Sequence, residues 1–113
     1  MGRLYELWCT ILDIIGPRDK WPRNIPGLFW KVGTLKNQER FVLTTFCYIN
    51  GLGPELLLEW CTIRRLLRDV AAVNHIKYLY DKYENSDVYD HKYWQWNVAL
   101  GVGQYIGGAI HYY

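Results

Sequence analysis

Three cysteines, one methionine, four prolines and a net charge of only +2 in 113 residues remove several classes of protein at once. Cys9, Cys47 and Cys61 are odd in number, far apart and set in apolar runs, which excludes a disulfide framework and the paired spacing of a zinc motif and predicts reduced thiols in the core. So small a charge does not by itself predict a nucleic-acid or membrane partner. No run reaches the ~18 uncharged apolar residues of a membrane span, and Glu6 and Asp13 interrupt the N-terminal apolar run where a signal peptide would stay clear of charge. Gly2 invites myristoylation, but Glu6 stands where that motif wants Ser or Thr. The expectation is an intracellular protein, cytoplasmic by default, without a cofactor and without membrane association.

Aromatic residues are what the chain has in excess: six Trp, ten Tyr and three Phe. With 50% hydrophobic and 21% charged residues, the balance is that of a folded chain, and residues 1–113 are expected to form one domain around one core. Rings this numerous fill a small core, and they are also the side chains enriched at binding surfaces.

Leu4, Leu7, Trp8, Ile11 and Ile15 recur at helical spacing, which predicts an amphipathic helix over 3–15 ended by Gly16-Pro17. Pro17, Pro22, Pro26, Gly27 and Gly33 then predict an irregular connection or short helical turns. Thr34 is a candidate cap for a helix from Leu35 through Tyr48, although Phe41-Val42-Leu43-Thr44-Thr45-Phe46 is rich in strand formers. After Asn50-Gly51-Leu52-Gly53, a helix over 54–71 is expected to bury Leu56, Trp60, Ile63, Leu67 and Val70. Ala72, Ile76, Leu79, Tyr80 and Tyr83 keep helical spacing, with Asn74 a candidate kink, and Asn85-Ser86-Asp87 closes that helix. Beyond it, the aromatic, β-branched segment 93–113 reads as strands, with Gly107-Gly108 as a hairpin turn that sets Ile106 opposite Ala109. The expected fold class is α+β, about four helices closed by a C-terminal aromatic β-hairpin. The alternative is all-α, in which Gly103-Gln104-Tyr105-Ile106-Gly107 is a GxxxG helix face, at a cost of about 1 kcal/mol for each glycine in a helix.

No spacing in the chain marks catalysis. His75, His91 and His111 are too far apart for a metal motif, so neither metal ligands nor catalytic residues are assigned. Cys47 or Cys61 with His75 or His91 could be drawn as a nucleophile and base, but any chain with three of each allows that drawing. Asp81, Glu84, Asp87 and Asp90 read as a solvated helix end and loop. The C-terminal glycines precede no helix carrying Lys and Ser or Thr, which excludes a phosphate-binding P-loop.

Between Gly16 and Arg40 lie Arg18, Lys20, Arg23, Lys31, Lys36 and Arg40 against Asp19 and Glu39, interleaved with Trp21, Phe29 and Trp30. Cations alternating with rings suit contact with a protein partner or with single-stranded nucleic acid, where charge meets phosphate and rings stack on bases. Arg64, Arg65 and Arg68 could extend that surface. The binding residues read from the sequence are Arg18, Lys20, Trp21, Arg23, Phe29, Trp30, Lys31, Arg64, Arg68, Trp94, Trp96, Tyr112 and Tyr113. The reading is a small non-catalytic interaction or adaptor domain that contacts a protein partner or a second copy of itself. Nucleic-acid binding through 18–40 is the alternative, and a small enzyme without a recognisable motif comes third.

Overall fold

In the computed structural model, which describes residues 2–85 and the backbone of 103–106 and 109–112, the N-terminal stripe folds as its spacing predicts. Helix α1 (Arg3–Ile15) buries Leu7 and Ile11 completely and lays Leu4, Trp8 and Ile15 along the rim of the core. Gly16, at φ 102°, closes it. The proline-rich connection resolves into a single 3₁₀ turn (Arg18–Lys20) and a short helix α2 (Ile25–Phe29) with Pro26 in its first turn. Trp21, Ile25 and Phe29 point from it into the core.

Helix α3 (Asn37–Ile49) starts later than the expected Leu35, and Thr34 is not its cap. Leu35 is instead drawn into the core, its N–H donating to the carbonyl of Leu66 at 2.8 Å. The helix opens at Lys36, whose N–H donates to Glu39 Oε1 at 2.7 Å. Six consecutive residues, Val42 to Cys47, are buried. A helix wrapped on all sides needs apolar bulk all round, so tertiary burial overrides the strand preference of Val42, Thr44, Thr45 and Phe46.

The expected helix over 54–71 is two helices. Helix α4 (Pro54–Ile63) ends at Arg64, and α5 (Val70–Glu84) begins after Asp69, whose carboxylate accepts from the Ala72 N–H at 3.0 Å. The buried stripe is Leu57, Trp60 and Cys61, one residue round from the expected face; Leu56 is half-buried, and Ile63 and Val70 are exposed. Leu66, not Leu67, is the fully buried leucine after the break. The expected α5 stripe of Ala72, Ile76, Leu79, Tyr80 and Tyr83 is buried throughout, with one continuous helix across Asn74.

The described body is therefore mostly helical, with α3 at its centre against α2, α4 and α5, and α1 against α4. Two groups of rings fill it. Trp8 lies 5.1 to 5.7 Å, centre to centre, from Trp21, Phe29, Trp30 and Trp60, while Tyr48 lies 5.8 Å from Tyr80 and 5.2 Å from Tyr83. Four of the buried rings have their polar group bonded: Trp21 Nε1 donates to Gly16 O, Trp60 Nε1 to Phe29 O and Tyr80 OH to Leu52 O, and Tyr83 OH pairs with Thr45 Oγ1. Further along, backbone strands β1 (Gly103–Ile106) and β2 (Ala109–Tyr112) pair antiparallel. The Gly107-Gly108 turn, and residues 86–102 that would join the strands to the helices, lie outside the described residues.

Candidate functional site

Two connections, Trp30 to Lys36 and Arg64 to Asp69, run side by side and are joined at both ends. The second begins with a tight helix stop: Arg65 N–H donates to Thr62 O at 3.1 Å and Leu66 N–H to Cys61 O at 2.8 Å. That pair of bonds is the Schellman arrangement, and it sets Arg65 at φ 57°, a left-handed position that glycine usually fills. The turn drops Leu66 into the core and swings Arg64 across to the first connection. There the Arg64 guanidinium lies 5.0 Å over the Trp30 ring and donates to the carbonyls of Trp30 and Lys31 at 3.1 and 3.2 Å. Leu35 bonded to Leu66 closes the other end of the seam.

A charged lattice stiffens it. Lys31 Nζ pairs with Glu39 Oε1 at 2.5 Å. Burial pushes the Glu39 carboxyl up, but the bonds from Lys31 and from the Lys36 N–H outweigh it and hold the group below its ordinary value. Arg40 Nε donates to His75 Nδ1 at 3.0 Å, and its Nη1 donates to Leu35 O at 3.0 Å. Burial, then the Arg40 charge, depress the His75 pKa, so this imidazole is neutral at pH 7.

The seam presents two features. At its Arg64 end an apolar edge faces solvent: Val32 is 94% exposed, Ile63 39% and Trp30 37%. At its Leu66 end a cavity of about 460 Å³ opens between the first turns of α3 and α5, lined by Thr34, Leu35, Lys36, Arg40, Arg68 and Asp69 among others.

The site residues read from the sequence divide accordingly. Trp21 and Phe29 are in the core, so neither presents a ring face to solvent. Arg18, Lys20 and Arg23 are exposed and make no ion pair among the described residues. Trp30, Lys31 and Arg64 come together at the seam, and Arg68 lies at the cavity. Trp94, Trp96 and Tyr113 lie outside the described residues, as does the side chain of Tyr112. The sequence reading counts Lys36 and Arg40 only within the basic segment, expects Ile63 to be buried and passes over Val32, because helical spacing says nothing about which side of a loop faces out and the break at Arg65 carries no glycine to announce it.

Thiol chemistry is disfavoured where the sequence allowed it to be drawn. Cys47 and Cys61 are unlinked and buried. Burial, reinforced by Cys61 nearby, pushes the Cys47 thiol well up, and burial takes Cys61 to about 12. Both are protonated at neutral pH and poor nucleophiles. Among the described residues, no helix is long and apolar enough to cross a membrane, and no three His, Cys, Asp or Glu side chains are grouped to hold a metal. Compared with models of protein families, with curated proteins and with solved structures, the chain matches none.

Proposed function

We propose that this chain is a non-catalytic protein-interaction domain of the cell interior that docks a partner on the edge formed by Trp30, Val32, Ile63 and Arg64. The observation that supports this reading most is Val32: an apolar side chain 94% exposed, in a connection that Arg64 ties down through two carbonyls. A rigid exposed apolar group loses little conformational freedom on binding while its contact with water is removed. Trp and Arg, stacked beside it, are residue types that dominate binding energy at protein interfaces. Exposed Arg18, Lys20 and Arg23 favour a partner carrying acidic residues beside its apolar contact. The C-terminal aromatic hairpin, with an edge able to pair with another strand, is the second contact surface in this reading and the one through which two copies would associate.

Selection of binding peptides from a random library tests the proposal. Selected peptides should be acidic and apolar, and Val32→Asp or Trp30→Ala should weaken them at least tenfold, while Tyr78→Ala, an exposed ring on α5, should not. Peptides that bind all three variants alike, or none selected at all, would refute the docking edge. Sedimentation across a concentration series tells whether a second copy is the partner.

Nucleic-acid binding through 18–40 is supported by Arg18, Lys20 and Arg23, which are exposed and make no ion pair among the described residues. Burial of Trp21 and Phe29 removes two of the three rings in that segment that would stack on bases, and the third, Trp30, already carries the Arg64 guanidinium over its face. If this reading holds, reversing the three charges lowers the salt slope of oligonucleotide binding for all sequences alike; a slope that does not move eliminates it.

A further inference from the structure

The cavity at the Leu66 end of the seam has a chemistry distinct from the docking edge. Lys36, Arg40 and Arg68 supply three positive charges to its wall, and Asp69 supplies one negative charge that already accepts the Ala72 N–H. The balance is two positive charges. Arg40 has two of its nitrogens committed, to His75 and to Leu35 O, which fixes the guanidinium in place rather than leaving it to swing in solvent. Arg68 makes no ion pair or hydrogen bond among the described residues, so its planar fork of donors is unspent. Leu35, Ala71 and Ala72 complete the wall with apolar surface. The first turns of α3 and α5 border the cavity and add positive potential, though Glu39 and Asp69 already answer part of it.

From this we infer that the cavity binds the phosphate group of a small phosphate monoester, with Arg68 and Arg40 donating to its oxygens, Lys36 adding charge, and the ester's organic body lying along Leu35 and Ala71. Guanidinium matches phosphate geometry with paired donors. A monoester carries about −1.5 to −2 charges at pH 7, which balances the wall where a monoanion would not. About 460 Å³ is within the range of small-molecule pockets and admits the ester's body as well as its phosphate. The proposal does not depend on the docking edge, which lies at the other end of the seam.

The test is titration of the full chain, followed by amide NMR, with phenyl phosphate, phenyl sulfate as its monoanionic counterpart, inorganic phosphate and a single-stranded oligonucleotide. Phenyl phosphate should give saturable shifts at Lys36, Asn37 and Asp69 to Ala72, with phenyl sulfate several-fold weaker. Arg68→Gln should weaken phenyl phosphate about tenfold, in line with loss of a charged hydrogen bond, while Arg18→Gln leaves it unchanged. Because Arg68 is exposed and makes no bond among the described residues, that variant is expected to stay folded, and its spectrum checks this directly. Inorganic phosphate binding as tightly as the ester would assign the site to free phosphate, and weaker binding assigns it to the ester. No saturable shift up to about 10 mM, well above the millimolar range of weak binding, overturns the proposal. So does equal affinity for phenyl sulfate, indifference to Arg68→Gln, or oligonucleotide binding that depends on Arg18, Lys20 and Arg23 but not on Arg68.

Discussion

Residues 16–36 and residues 64–69 both redirect the chain between helices, the first held by side chains and the second by its own backbone. In the longer connection, indole and guanidinium donors take up loop carbonyls: Trp21 bonds Gly16, Trp60 bonds Phe29, and Arg64 bonds Trp30 and Lys31. In the shorter one, Arg65 and Leu66 satisfy the last carbonyls of α4, and Asp69 caps α5. A loop pinned by rings is sensitive to loss of a ring, while a loop pinned by its backbone is sensitive to backbone conformation and to the one leucine it buries.

Trp60→Ala should have the largest effect, because it removes a completely buried ring and the donor that holds Phe29 O. A loss of about 3 to 5 kcal/mol is expected in urea melts, and a loss below about 1 kcal/mol would mean the ring cluster does not hold the longer connection. Next comes Leu66→Ala, at about 2 to 5 kcal/mol, against a smaller loss for the half-buried Leu67→Ala. Equal losses would restore one continuous helix across 64–69.

The sequence made these two regions unequally legible. Prolines and glycines announce the longer connection, and the one-sided stripes of α1 and α5 are read correctly because each helix packs on one face only. Helix α3 is less plain for the opposite reason: a helix buried on all sides has no stripe, so Phe41 to Phe46 carries strand formers within an expected helix. The break after Ile63 is hidden because Arg65 occupies a left-handed position without glycine and Leu66 and Leu67 extend an apparent helical stripe. The same concealment misplaces the site. Interleaved rings and cations in 18–40 read as one surface, whereas folding sends Trp21 and Phe29 inward and brings Lys36 and Arg40 to residues of a connection nearly thirty positions away.

Two weaker effects sharpen the contrast. His75, bonded to Arg40, has its pKa depressed below 6.5, so between that value and its folded pKa the unfolded chain binds more protons. Stability should fall as pH drops through this window. Thermal melts should show His75→Gln flattening that fall, while Glu39, also depressed but from 4.5, acts only at lower pH; an unchanged slope would remove His75 from the seam's lattice. The smallest change is expected at Arg65. Relief of about 1 to 2 kcal/mol of left-handed strain exceeds the added chain entropy of glycine, about 0.5 to 1 kcal/mol. Arg65→Gly should therefore raise stability by under about 1 kcal/mol, and a loss would show the position is not left-handed.

The docking edge and the cavity both depend on the two connections forming one rigid seam, and amide hydrogen exchange at Leu35 and Leu66 tests that most directly. Leu35 N–H bonded to Leu66 O, and Leu66 N–H bonded to Cys61 O, predict protection comparable to the centres of α3 and α5, with Val32 and Gly33 exchanging rapidly beside them. Exchange at Leu35 as fast as at Gly33 would contradict the seam, and with it both surfaces that it holds in place.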